Sequence, residues 1–483
     1  MSATDERRTC VRLFALYALL AIVGLLCDLI NDSELRGVYA RAVPFVIVVS
    51  FGAAAVGQVL RDSLASISPL TWFLATGAVF FGFGPLMYEF ATQSTIDLAN
   101  ALWVLTDRAR FRVQLLNTVA FTFAFGAAAV FSSESVVRWA SKSSSPRGRP
   151  AAEKVFWVSF AIGLPVRLLQ AATHFGVLGL HLSQFTGSLA NLTLAAVLAG
   201  AYLSSTGRTR LFLPTGALIA LEVVIGLFSF DKSAALLPLA MLLLGVFWAK
   251  RSRKTVIVGA VLVAVFYSVL TPIVLEGRRL LWKGGEQDFS KLADFWSGAV
   301  GSDYSGRRPK HERAQVWWAR LNYVNAQAFA MHLYDSGRDG HSFDDLAWFL
   351  VPRALYPDKP LVGGQGREIS WLAHRQRKTS TGVTAFGEAY WNGGWPLVVL
   401  ACMVLGAVVG LFTALAKGFL GTGQWFYLPF AFWAIDVSHS YRGWFTTSFV
   451  GAVLIMLAWF ALVYLPVFHN WKPRRLRPSY RPI

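Results

Sequence analysis

Residues 11–30 read VRLFALYALLAIVGLLCDLI. Between Arg12 and Asp28 this stretch carries no charge, and its apolar residues cover every side of a helix rather than one stripe. A helix that is apolar all round belongs in a protein core or in a bilayer, and about 20 residues is the length that crosses the hydrocarbon layer. Runs of the same kind recur at residues 40–60, 69–90, 114–131, 155–173, 188–203, 211–229, 233–249, 255–275, 395–415, 425–438 and 445–466. The pattern predicts an all-α polytopic membrane protein with about 12 spans. It divides the chain into an N-terminal bundle (1–275), a large loop (276–394), C-terminal spans (395–468) and a basic tail (469–483).

Composition agrees. Of 483 residues, 55% are hydrophobic and 15% charged, where a soluble domain carries about 25% charged residues. The net charge of +18 would suggest nucleic acid in a soluble protein. Here much of it sits in short loops and the tail, where positive charge orients membrane helices, so nucleic acid is excluded as a partner. Arg7, Arg8 and Arg12 place the N-terminus in the cytoplasm. Alternation then puts Arg138, Lys142, Arg147, Arg149 and Lys154 on the same side, with Arg208 and Arg210, the basic cluster Lys250–Lys254, and the tail with Lys472, Arg474 and Arg475. Both termini are therefore expected inside and the 276–394 loop outside. Because no small-residue cleavage site follows it, the first run is expected to be a retained anchor. Arg108, Arg110 and Arg112 break the pattern by falling outside, either to bind an anion or as an interfacial helix with snorkelling side chains. The cysteines Cys10, Cys27 and Cys402 suggest no disulfide framework, and no Cys/His cluster has metal-site spacing.

Inside the long loop, Leu321, Val324, Ala328 and Met331 recur at a helical period. Ser342 and Asp345 resemble a capping box before a second short helix, and residues 367–377 suggest a third. The segment Val351–Pro360 is stiffened by its prolines and presents Arg353 and Lys359 at low entropic cost. Tryptophans in the loop suit either interfacial anchoring or stacking on sugar faces.

Charge inside a span is costly, so it usually lines a cavity or binds something. Arg167 is expected to pair with Glu222 or to meet a phosphate. Asp436, His439 and Arg442 cluster near the outer end of the 425–438 run. Lys232 lies in the tight turn after Asp231, either solvated beside that residue or facing an anion. Together these residues describe a basic, aromatic, outward-facing cavity suited to an anionic or lipid-linked substrate.

Three local patterns resemble the oligosaccharide repeat unit polymerases, the Wzy-type O-antigen polymerases of bacteria: Asp231-Lys232-Ser233 before Leu236-Leu237-Pro238-Leu239; Pro352-Arg353-Ala354-Leu355-Tyr356-Pro357-Asp358-Lys359-Pro360; and Gly387-Glu388-Ala389-Tyr390-Trp391-Asn392 at a span entrance. The resemblance implies a membrane glycosyltransferase of GT-C-like architecture in the bacterial inner membrane, working on the periplasmic side. A glycan held on undecaprenyl pyrophosphate would pass to the sugar of a newly arrived lipid-linked unit. No cofactor is expected, and the implied partners are the lipid-linked oligosaccharide, membrane lipid, a chain-length regulator and a flippase. Arg353 is then the first candidate to stabilise the departing pyrophosphate, with Lys359, Lys232, Arg167, Arg442 and His439 around it. Glu388 is the first candidate general base, or else a structural hydrogen-bond acceptor. His374 is the second, its neutral ring favoured by Arg375, Arg377 and Lys378, or else a solvated helix residue. An O-antigen ligase would share the donor and differ in its acceptor, whereas a polysaccharide-related transporter or flippase would show related halves and helices broken at the midplane.

Overall fold

The computed structural model describes residues 3–91, 105–143, 147–179, 184–281, 321–344, 346, 356, 365–374, 381–444, 446, 453, 456 and 459. Among them there are helices and no strand. Eight helices are long and apolar enough to cross a membrane, which makes the chain a helical polytopic membrane protein. They include α1 (Ala3–Ile30), α2 (Ser33–Arg61), α3 (Pro69–Tyr88), α4 (Asp107–Phe131) and, after the short α5 (Glu134–Ser141), α6 (Arg149–His174). Next come α7 (Gln184–Ala190), α8 (Leu192–Ser205), α9 (Phe212–Phe228), α10 (Lys232–Lys250) and α11 (Arg253–Leu281). Of these, α9 and α10 belong to the eight, whereas α8 and the stretch Ile257–Leu270 of α11 are shorter apolar helices. The remaining helices are α12 (Val324–Asp335), α13 (Gln365–His374), α14 (Thr384–Gly421), which completes the eight, and α15 (Leu428–Ser440). The expected span at 445–466 lies mostly outside the described residues.

The turns follow from residues that tolerate them. Asn31 adopts a left-handed conformation between α1 and α2, and Asp32 then caps α2 by accepting from the amides of Glu34 and Leu35. Asp231 caps α10 in the same way through Ser233 and Ala234. Tight turns make successive helices antiparallel, so the chain alternates between a near face, where α1 begins, and a far face.

At the centre α4 packs along α14. Gly406 and Gly410 on α14 meet the backbone of Ala124 and Ala128 on α4, and Gly418 meets Val137 and Ala140 of α5. Small residues every fourth position on both helices let the backbones close up, which is how helices associate where lipid supplies no hydrophobic drive. A methyl at Gly406 would strike the Ala124 carbonyl. Gly406→Ala is therefore expected to cost about 1–3 kcal/mol, read as a lower unfolding temperature of the purified protein. An unchanged midpoint would show that the contact yields freely.

Against this pair an aromatic core assembles from Tyr17, Phe51, Phe73, Phe81, Phe121, Phe125, Phe386 and Tyr441. The opposite surfaces of α1 and α2 expose Leu19, Ile22, Leu25, Leu26, Val38, Phe45 and Val49, as lipid-facing walls should.

Part of the 276–394 stretch is packed into the bundle. The periodicity from Val324 onward does form a helix, α12, but almost all of it is buried. Its residue Gln327 donates to Asn117 of α4 and to Thr384, so it is part of the bundle rather than of a solvated loop. Ser342, expected to cap a short helix, donates its hydroxyl to Glu388, and its expected partner Asp345 lies outside the described residues. The segment 384–392 is helical but is separated from the rest of α14 by the non-helical Gly393 and Gly394, next to the expected start of a span at 395.

Candidate functional site

The far half of the bundle contains a place where helices stop inside the protein. After α15, Tyr441 stacks on Phe73 at 4.5 Å and on Phe81 at 5.2 Å, both within the span of α3, and donates to the Phe73 carbonyl at 2.9 Å. So α15, 13 residues long, ends within the bundle. The chain then turns, and the Tyr441 carbonyl accepts from the amide of Ala385 at 2.8 Å, where α14 starts. Thr384 is buried there with φ of 66°, a strained conformation for a β-branched residue. From this point α14 runs outward to Asn392, reverses at Gly393 and Gly394, and descends along α4. Only Gly394, with φ of 62° and the Tyr334 ring against its Cα, strictly requires glycine. Facing the break, α3 carries a π-helical turn at Ala78–Phe83, a distortion often found at functional sites.

Irregular backbone at membrane depth is tolerated only when protein surrounds it or a watery cavity meets it. The residues gathered here are polar and positive. The Arg442 guanidinium lies 4.9 Å over the Phe80 ring. Tyr323, just before α12, has its ring 5.8 Å from Phe80, and a methyl at Gly382 would lie 3.8 Å from it and 4.0 Å from Gly443. Burial raises the Tyr323 hydroxyl pKa and the Arg442 charge opposes that rise. One turn earlier, His439 lies 3.5 Å from Asp436 and hydrogen-bonds the Ile435 carbonyl through Nδ1. Among the described residues Arg442 has no carboxylate within ion-pair distance. Both α12 and α14 begin beside it, adding the partial positive charge of their N-termini. A cation over an aromatic ring, partly shielded and without a counter-ion, is suited to an anion.

No protein-family model, curated protein or solved structure matches the chain. Its chemistry therefore has to be argued from these side chains.

Glu388 lies one turn along α14 and is fully buried. Its Oε1 accepts from Ser342 at 2.7 Å and Thr446 at 2.6 Å, and Oε2 accepts from the Thr446 amide at 3.4 Å. Asn392 donates to Ser342 at 2.9 Å and accepts from the Phe343 amide. The carboxylate thus ties three segments together, a geometry suited to positioning them more than to taking a proton from a bound sugar. His374 ends α13, and its side chain lies outside the described residues, as do Arg353 and Lys359 altogether.

Arg167 and Lys232 lie on other helices, each with its own partners. Arg167 donates through Nε to Glu222 at 2.9 Å and through Nη1 to Gln170 at 2.8 Å, and Thr193 donates to the same carboxylate. Lys232 donates to the Tyr267 hydroxyl at 3.2 Å and lies 4.6 Å over its ring. The structure thus brings His439 and Arg442 together and sets Arg167 in the pair with Glu222.

Two of the three arginines that broke the charge rule, Arg110 and Arg112, are also paired. Arg110 bridges to Glu89 and Asp107. Arg112 bridges to Asp335 and donates to the Tyr390 hydroxyl at 2.9 Å, while Tyr390 donates to Asp335 at 3.1 Å. This triad fastens α12 and α14 to α4. The polar Gln114 and Asn117 within an otherwise apolar run were the sequence signal for buried contacts here.

Proposed function

We propose that the protein is a polymerase of lipid-linked oligosaccharide repeat units, working at the outer face of a bacterial inner membrane with both termini cytoplasmic. The observation that carries this reading is Arg442, without a counter-ion among the described residues, at a break in the helices inside the bundle. A lipid pyrophosphate is an anion that reaches a protein from the bilayer, so its binding site belongs within the membrane region. The far face, where the segment after α11 emerges, is assigned as periplasmic. The spans beyond the eight are assigned to α7 with α8, to α11, and to α15 and the 445–466 run, of which α15 reaches only part-way across, giving about 12 in a GT-C-like bundle.

In the reaction the bond from the anomeric carbon to pyrophosphate breaks while one to the acceptor hydroxyl forms. The pyrophosphate leaves with the electron pair, and the proton of the acceptor hydroxyl passes to the departing pyrophosphate. Charge develops on the leaving oxygen, where the fixed Arg442 guanidinium and the helix N-termini stabilise it without reorganisation. Lys232 and Arg353 are assigned to the rest of the lipid-linked substrate, and Glu388 to holding the 342 and 446 segments in place.

The break inside the bundle also favours a second reading, a transporter of anionic glycolipid, because transporters bind substrates at interrupted helices. The glycan profile of a strain lacking this protein separates the two. Loss of the long ladder, with single units still reaching their acceptor, is the expected result. Long chains accumulating on undecaprenyl pyrophosphate would mean a ligase instead. An unchanged profile, in a genome without a duplicate, would sink the polysaccharide reading and leave the transporter.

A further inference from the structure

The near face of the bundle, opposite the Arg442 site, contains a cavity of about 680 Å³. Its walls come from the ends of α2, α10 and α14 and from α5. Arg61, Arg251 and Lys417 all line it, against the single carboxylate of Asp62. Lys417 is already engaged by Glu6 of α1 at 3.4 Å, and Asp62 accepts from the Leu64 amide at 3.0 Å. Arg61 and Arg251 have no carboxylate partner among the described residues.

Arg251 holds its place at a backbone cost. It closes α10 with φ of 49° and ψ of 30°, the left-handed conformation that glycine or asparagine usually supplies at a helix end. A cation near a helix C-terminus is favourable in itself, but that could be met from the preceding Lys250 without strain. The left-handed position brings the arginine to the cavity wall. Ser63 is at the same wall, with its hydroxyl turned into the protein rather than toward the cavity. Leu60, Val137 and Phe247 complete the lining with apolar surface. Two cations without counter-ions among the described residues, beside an apolar wall in one cavity, are complementary to a phosphate attached to something apolar. Basic pockets between helices at a membrane surface hold phospholipid head groups in this way.

We propose that this cavity binds a phosphate group through Arg61 and Arg251, carried by an anionic phospholipid head group or by a soluble phosphate. The site is independent of the polymerase reading, since neither arginine belongs to the Arg442 cluster.

The full-length protein in nanodiscs of neutral phosphatidylcholine, with and without phosphatidylglycerol, tests it by unfolding temperature and by lipid retained in native mass spectrometry. Phosphatidylglycerol is expected to raise the midpoint and remain bound, and R61Q/R251Q to weaken that binding about tenfold or more. Inorganic phosphate added to the neutral nanodiscs is the second arm. Stabilisation there, abolished in the double variant, supports the site with a soluble phosphate as its ligand. R61K/R251K keeps the charge and should keep part of the shift. Should R61Q/R251Q fail to fold, each single variant must show a reduced shift. A wild-type protein that responds to neither probe, or glutamine variants that respond as fully as wild type, would overturn the proposal.

Discussion

Arg442→Ala is expected to abolish the long glycan ladder while leaving the amount of protein in the membrane close to wild type. The activity loss follows from the role proposed for the guanidinium. Removing one preorganised charge donor from a developing oxyanion typically costs about 10²–10³-fold in rate. The stability loss should be small because the visible contact is with the face of Phe80, worth about 0.5–1 kcal/mol at an exposed site. Arg442→Lys keeps a point charge but not the planar fork, so an intermediate ladder is expected. Measuring ladder length and membrane-extracted protein together checks the prediction. A full ladder with alanine at 442 would remove the residue from the mechanism.

The second large effect is on stability. Arg167→Met should destabilise the protein by about 3–5 kcal/mol, because a charge left in the interior without its partner keeps its desolvation penalty. Glu222 is only 3% exposed, and its remaining visible donor would be the Thr193 hydroxyl. Arg167→Met with Glu222→Leu should recover most of the loss, since an apolar pair of similar volume replaces an ion pair at little cost. Unfolding temperature in detergent measures this, and the ladder measures function beside it. If the double variant regains both stability and ladder, Arg167 serves the fold alone. If it regains stability without ladder, the arginine also touches substrate. If the two losses simply add, the 2.9 Å pair is not the interaction that matters.

Much of the bundle was legible because hydrocarbon leaves few choices. A run such as 11–30 has to satisfy its backbone internally, and a helix does so. The helix α12 was legible from local periodicity, and α13 overlaps the short helix expected at 367–377. The Arg167–Glu222 pair was one of two expected outcomes, reached because both charges lie in spans that must hide them. The close packing of α4 on α14 also had a local signal, Gly406-x-x-x-Gly410 opposite Ala124-x-x-x-Ala128, which apolar-run counting passes over.

What could not be read were meetings between distant segments. Arg112 lies 223 residues from Asp335, so it appeared only as a cation on the wrong side of the membrane. Ser342 fits a capping pattern locally, yet Glu388, 46 residues away, takes its hydroxyl. The run at 425–438 reads as a short span, and only the packing of Tyr441 on Phe73 and Phe81 puts the end of α15 inside the bundle.

By itself, then, the sequence determined which segments are helical and bound for the membrane, because span length and charge cost act residue by residue along the chain. Tertiary structure alone decided which charges are spent on one another and which are left for a ligand. The reason is that a buried charge is compensated by whatever packing brings within a few ångströms, and in this bundle the compensating groups are usually far away in the chain.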